Sequence, residues 1–532
     1  MDDILIRGGE VVDGTGAPAR KADLAIRDGR IRAVEEGYAG SAERVIDADG
    51  LTVAPGFIDI HTHSDFTLPL NPKAECKIRQ GVTTEVVGNC GFSVAPALPG
   101  RVETLRDYLS ASAPWLPFEE TDFARYMDTW PALSLNTVMQ AGHNTLRLMA
   151  MGMEDRDPSD AELRHMQEML AEALEAGALG LSSGLFTAPG CYAKPEEVLA
   201  LGRVVKAHGG RYSSHVRDES HGVHEAVAEA IDVGEQCGIH VQVAHLKLSG
   251  TGRWGEAEEL LGQFTAARAR GVDVHCDQYP YDWATNPLRF LLPVWLQEGG
   301  IDAMLARLAN PEIRSRVRQK IAEVGFNNFG HIESWDDIRI ANSPGAAEPG
   351  KTIAEIAAAR DCDPLEAVFD IVVEDRGGTR ILVRSMSEED VRRIAAEPSM
   401  TVGSDGPCVA PYGVTSQGKP HPRLYGTFPR MLGRYAREQG LLTLEQAVAK
   451  MTGNAARALG MADRGLLRES QAADVVLFDA GTIRDEATFD EPHTYPAGVG
   501  TVIVNGEVVI HQGEHTGALP GRLLRRREGV LG

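Results

Sequence analysis

Two histidines separated by one residue close an apolar run, Pro55-Gly56-Phe57-Ile58-Asp59-Ile60-His61-Thr62-His63. Alternate side chains of an extended strand share a face, so both imidazoles point the same way and reach one cation or two neighbouring ones. In a chain with sixteen histidines such a pair is a weak signal by itself. It has company: Gly88-Asn89-Cys90-Gly91, Gly142-His143, Ser213-Ser214-His215, Ala244-His245-Leu246-Lys247 and Gly403-Ser404-Asp405-Gly406 each stand at the end of a strand candidate. Core histidines have no reason to recur at one structural position, so the histidines and Cys90 at these strand ends read together as a metal site. Imidazole and thiolate donors suit Zn²⁺, which acidifies a bound water and polarises a carbonyl. Asp405 is then the proton carrier between the nucleophilic water and a departing nitrogen. Glycines on both sides of Asn89-Cys90 suggest tight backbone near a ligand, where a thiolate can hold one metal or bridge two.

Such groups need elements that bring them together. Eight strand candidates, at 57–61, 83–88, 136–140, 179–183, 211–216, 240–245, 273–277 and 400–404, alternate with helical runs such as 161–176, 195–206 and 223–236. This is the pattern of a parallel sheet with crossover helices, and eight units predict an α/β (β/α)₈ barrel with its chemistry at the C-terminal strand ends. Residues 282–398 are too many for an ordinary connection and read as a mostly helical insertion between the last two strands, a lid over the site. Short strands around Asp28-Gly29 and Asn505-Gly506 mark hairpins near both chain ends, because Gly takes the positive φ of the tight turn. These terminal sets are expected to pair into one discontinuous β-sandwich, from 1–55 and 461–532, around a barrel domain at 56–460.

The balance of charge limits the partners. A formal net charge of −23 over 532 residues argues against nucleic acid, and the one basic cluster, Arg522 to Arg527, reads as a solvated tail. No apolar run approaches the ~18 residues of a membrane span, and Met1-Asp2-Asp3 does not open a signal peptide. A cytoplasmic location is expected. Seven scattered cysteines do not form a disulfide framework.

Pro55 to His63 with His215, His245 and Asp405 resembles the amidohydrolase superfamily. Gly88-Asn89-Cys90-Gly91-Phe92-Ser93, Gly142-His143-Asn144-Thr145-Leu146-Arg147, His245-Leu246-Lys247, Ser404-Asp405-Gly406 and His421-Pro422-Arg423-Leu424-Tyr425-Gly426 narrow the likeness to the N-acyl-D-amino-acid deacylases. The resemblance implies a tight zinc on Cys90, His215 and His245, and a weaker second site at His61 and His63. It also implies Asp405 as acid/base, and Lys247, Tyr279 and Arg289 as binders of the substrate's α-carboxylate. The expected substrate is a small N-acyl-D-amino acid. Asp282 and Trp283 depart from the small residues usual there, and either line the pocket or pack under the lid. The alternatives are a cyclic amidase of hydantoinase type, a deaminase, or a barrel assembly protein without catalysis. Many hydantoinase-type enzymes bridge two metals with a carboxylated lysine, and no lysine stands at a comparable strand end here; an assembly protein would lack ligands that this chain retains.

Overall fold

In the computed structural model, which describes residues 1–527 and 530–531, every one of the eight strand candidates is a strand. The first (Phe57–Asp59) pairs in parallel with the second (Val82–Val87), and the second with the third (Asn136–Met139). The third resumes at Ala141–Gly142 beside the fourth (Gly180–Gly184), followed by the fifth (Arg211–His215), sixth (Val241–Val243), seventh (Val274–Gln278) and eighth (Thr401–Val402), all parallel. The ring closes where the Asp405 N–H donates to the His61 carbonyl at 2.8 Å and Thr62 bridges Gly406. The (β/α)₈ expectation stands.

The crossover helices follow from local sequence. The helix Asp160–Glu175 starts at a reciprocal Ser159/Glu162 capping box and buries Met166, Met169, Leu170, Ala173 and Leu174, a stripe at helical spacing laid toward the barrel. The helix Val223–Cys237 stops at Gly238, which takes φ 62°, a left-handed conformation costly for a side chain with Cβ.

Both chain ends meet in one nine-stranded sheet. The strand Thr52–Pro55 runs parallel to Asp2–Val11 on one side and antiparallel to Val475–Phe478 on the other. Ile6, Leu24, Ile26, Val53, Val475 and Ile503 form its own apolar cluster. Asp28-Gly29 and Asn505-Gly506 adopt φ of 52°, 73°, 50° and 84°, the paired positive values of a two-residue hairpin turn.

The insertion carries five helices, from Ile301–Leu308 to Glu388–Ala396. It also holds a three-stranded antiparallel sheet of Trp283–Pro287, Ile338–Asn342 and Arg380–Arg384, which the sequence reading did not resolve. Strands of five residues, spread over a hundred positions, leave little periodic signal. Thr285, Asn286, Ala341, Asn342 and Arg380 of this sheet form one wall of the cavity that also reaches Cys90, His215 and His245.

Candidate metal centre and catalytic cavity

Cys90 lies at the focus of the strand ends. Its Sγ is 3.2 Å from His61 Nε2 and 3.3 Å from His245 Nε2, and His245 Nε2 is 3.0 Å from His215 Nδ1. Asp405 Oδ1 sits 3.2 Å from His63 Nε2 and 3.5 Å from His61 Nε2. Ligand atoms of His61, Cys90, His245 and Asp405 all fall within 4.8 Å of one another. The six residues singled out in the sequence therefore converge. Three of them hold strained backbone: Cys90, His245 and Asp405 have φ of 55°, 34° and 50°, outside the range non-glycine residues favour. The turns aim their side chains across the barrel mouth. Gly91 is needed for this approach, since a Cβ there would lie 2.2 Å from Asn144 Oδ1.

Buried carboxylates stand behind the imidazoles. Asp277 Oδ1 lies 3.1 Å from His61 Nδ1 and accepts the His245 N–H at 3.0 Å, while Gln242 donates to its Oδ2. Glu219 Oε1 lies 3.0 Å from His245 Nδ1, and its Oε2 accepts from Asn328. A carboxylate behind Nδ1 turns the Nε2 of His61 and of His245 toward the centre as a donor, which is how protein ligands to a metal are oriented. Phe186 stacks on His215 with ring centres 3.7 Å apart. Asp277, Glu219 and Asn328 escaped the sequence reading; only Asp277, at a strand end, carried a signal.

The electrostatics suit a cation. Burial would push the Cys90 thiol up, but the charges of His61 and His245 and hydrogen bonds from His215 and His245 bring it well below its ordinary value. A buried thiolate with two imidazole Nε2 atoms 3.2 and 3.3 Å away is a donor set for Zn²⁺. The residues present fit that metal. Asp405 resists burial in the same way: Arg423, whose Nη2 lies 2.9 Å from its Oδ2, and then His245, hold the carboxyl well below the usual range.

A buried triad clamps the catalytic loop. Lys77 Nζ lies 2.8 Å from Asp59 and 3.1 Å from Glu85, and donates to Ser404 Oγ and the Gly406 carbonyl. Asp59 Oδ1 accepts the Ser404 N–H at 2.8 Å. The clamp thus holds the residues on either side of Asp405. Lys77→Met leaves Asp59 and Glu85 facing each other in the core, and is expected to cost about 3–5 kcal/mol. Denaturant unfolding of the variant measures it; a loss under about 1 kcal/mol would show that the triad is dispensable.

The three expected carboxylate binders do not form the cavity wall. Arg289 is the clearest correction. It lies on a short 3-10 helix, Leu288–Leu291, that turns its guanidinium to the carbonyls of Gly377 and Tyr108, at 2.6 and 2.8 Å, and it faces a second cavity instead. Lys247 donates to Glu219 Oε1 at 2.5 Å and lies 2.7 Å from His245 Nδ1, so its charge is spent behind the ligand. Tyr279 is buried beneath the Arg423 guanidinium, 4.3 Å from its ring centre, and its hydroxyl has no partner. The cations on the wall are Arg380 and Arg423. Asp282 and Trp283 are absent from it; the Trp283 ring packs on Phe489 with centres 4.8 Å apart. His143 pairs with Glu197 at 2.8 Å in a buried network with Arg147, a structural role.

The profile of the amidohydrolase family matches residues 44–510. The chain belongs to the amidohydrolase family. Among its relatives, an N-acyl-D-glutamate deacylase of Alcaligenes xylosoxydans xylosoxydans is 39% identical, covering 100% of this chain and 98% of that one. A D-aminoacylase of the same organism is 36% identical over 98% of each. A crystal structure of the N-acyl-D-glutamate deacylase from Bordetella bronchiseptica, complexed with zinc and a phosphonate inhibitor that mimics the tetrahedral intermediate, superposes with a TM-score of 0.82 at 38% identity. It covers 99% of this chain and 100% of that one. This amidohydrolase is thus matched along its whole length. Among the described residues no helix is long and apolar enough to cross a membrane.

Proposed function

We propose that this amidohydrolase is a zinc-dependent deacylase of N-acyl-D-amino acids, releasing a carboxylic acid and a free D-amino acid. The observation that carries the reading is the approach of Cys90 Sγ, His215 and His245 to one point, with Asp405 beside it. Cys90, His215 and His245 would hold the tight zinc, and His61 and His63 a weaker second ion. When bound, zinc supplies Lewis acidity to water and to the amide carbonyl. The chain's own groups do the rest. Asp405, kept ionised by Arg423 and the histidines, takes the proton of the attacking water on Oδ1 and delivers it to the amide nitrogen as that bond breaks. Atoms balance: one water enters, its oxygen stays on the acyl carbon as the carboxylate, and both of its protons end on the amine as ammonium. Phe66, Phe92 and Phe186 line the cavity and keep bulk water from the reacting amide. All seven cysteines are free, in keeping with action in the reducing cytoplasm.

Arg380 replaces Arg289 as the candidate anchor for the α-carboxylate. Burial, and next the charge of Arg423, push its guanidinium down to about 10, and a bound carboxylate would relieve both. Arg380→Gln is expected to raise KM for N-acetyl-D-amino acids about 30- to 100-fold with a smaller change in kcat. The same substrates as methyl esters should lose far less. Equal losses for acid and ester would remove the assignment.

The reading itself is tested by hydrolysis of paired N-acetyl-D- and N-acetyl-L-amino acids with the metal content measured. Turnover of the D series that is lost on chelation and restored by zinc is expected. A preference for the L series, or full activity without metal, would overturn it.

A further inference from the structure

The similarity to known proteins does not choose a side chain, since a glutamate-directed relative and a D-aminoacylase differ by only three points of identity, 39% against 36%. The cavity itself does. Apart from the ligand histidines and Cys90, its charged wall residues are Asp405, Arg423 and Arg380. Arg423 is committed to Asp405 at 2.9 Å, and Lys247, behind the wall, is committed to Glu219. Arg380 donates to the Ser112 hydroxyl at 2.7 Å and makes no ion pair among the described residues. One cation is therefore free to meet substrate charge. Much of the remaining wall is apolar, with Phe66, Phe92, Trp115, Phe186, Phe290 and Leu424 facing the same space.

We infer that the pocket selects N-acyl-D-amino acids bearing one carboxylate, the α-carboxylate met by Arg380, with an uncharged, apolar side chain against the aromatic wall, and that it rejects D-glutamate and D-aspartate derivatives. A second carboxylate would enter a cavity whose free cation is already occupied and whose other anion is Asp405. Such a group, desolvated without a counter-charge, is strongly disfavoured. An apolar side chain instead gains by leaving water for the aromatic wall. Arg423 pairs through Nη2 with Asp405, and although its Nε and Nη1 have no partner among the described residues, the pair is net neutral and a second carboxylate drawn to it would meet the repulsion of Asp405.

This inference rests on the deacylase reading, and the test separates the two. With the zinc-loaded full chain, kcat/KM is measured for N-acetyl-D-glutamine against N-acetyl-D-glutamate and for N-acetyl-D-asparagine against N-acetyl-D-aspartate. Each pair has nearly the same shape and differs in charge. The amides are expected to exceed the acids about 100-fold. N-acetyl-D-leucine and N-acetyl-D-phenylalanine are expected to exceed the glutamine derivative at least about tenfold. A glutamate or aspartate derivative cleaved as well as its amide, or better, overturns the inference and leaves the deacylase reading intact. No turnover of any member of the panel overturns the deacylase reading and the inference with it.

Discussion

Asp405→Asn is expected to lower kcat for N-acetyl-D-amino acids about 10³-fold, the range lost when a positioned acid/base is removed, while the protein keeps its zinc. The carboxylate stands at one edge of the donor cluster, its Oδ1 toward His63 and His61 and its Oδ2 on Arg423. Asparagine has nearly the same shape and can still accept from Arg423, so the loop held by Lys77 and Asp59 need not move. What it lacks is the ability to take a proton and return it. Metal analysis and single-turnover kinetics of the purified variant check both halves. Retained turnover would remove Asp405 from the chemistry, and lost zinc would make it a ligand first.

Cys90→Ala should lose the tight zinc and, with it, at least about 10³-fold in kcat/KM, because metal activation is worth several kcal/mol of barrier. The thiolate is the anionic donor at the centre of three imidazoles. Without it His61, His215 and His245 crowd together as neutral or mutually repelling rings. Zinc titration in the presence of a competing chelator measures the affinity, and added zinc should restore chelated wild type but not the variant. A variant that binds zinc as tightly as wild type would place the site elsewhere. The positive φ of Cys90 is retained with alanine, so backbone strain does not account for any difference between the two proteins.

The donor types were legible because they recur at a position that the strand pattern itself defines. His61, Cys90, His215, His245 and Asp405 each end or closely follow a strand that is largely buried, and parallel strands of a barrel must end at one rim. The groups that orient them were not legible. Asp277 lies behind His61, and Glu219 behind His245, through contacts that span 216 and 26 positions of chain; Asp277 stands at a strand end but nothing local ties it to His61, and Glu219 has no periodic or motif signature. The clamp of Lys77 on Ser404 crosses 327 residues. A lysine at that position is as compatible with a surface helix until the ring closes over it.

Local sequence by itself marked the barrel strands, the hairpins near both chain ends and the donor residues at the strand ends, because hydrophobic alternation, turn glycines and capping residues act over a few bonds. Tertiary structure alone decided which arginine faces the cavity that holds the donor cluster. Arg289 and Arg380 are chemically equivalent and lie on the same insertion. Arg289 turns to the carbonyls of Gly377 and Tyr108, whereas Arg380 begins a strand and pairs there with Pro287 and Asn342 on the cavity wall. A guanidinium's direction is set by distant backbone partners that no stretch of the chain announces.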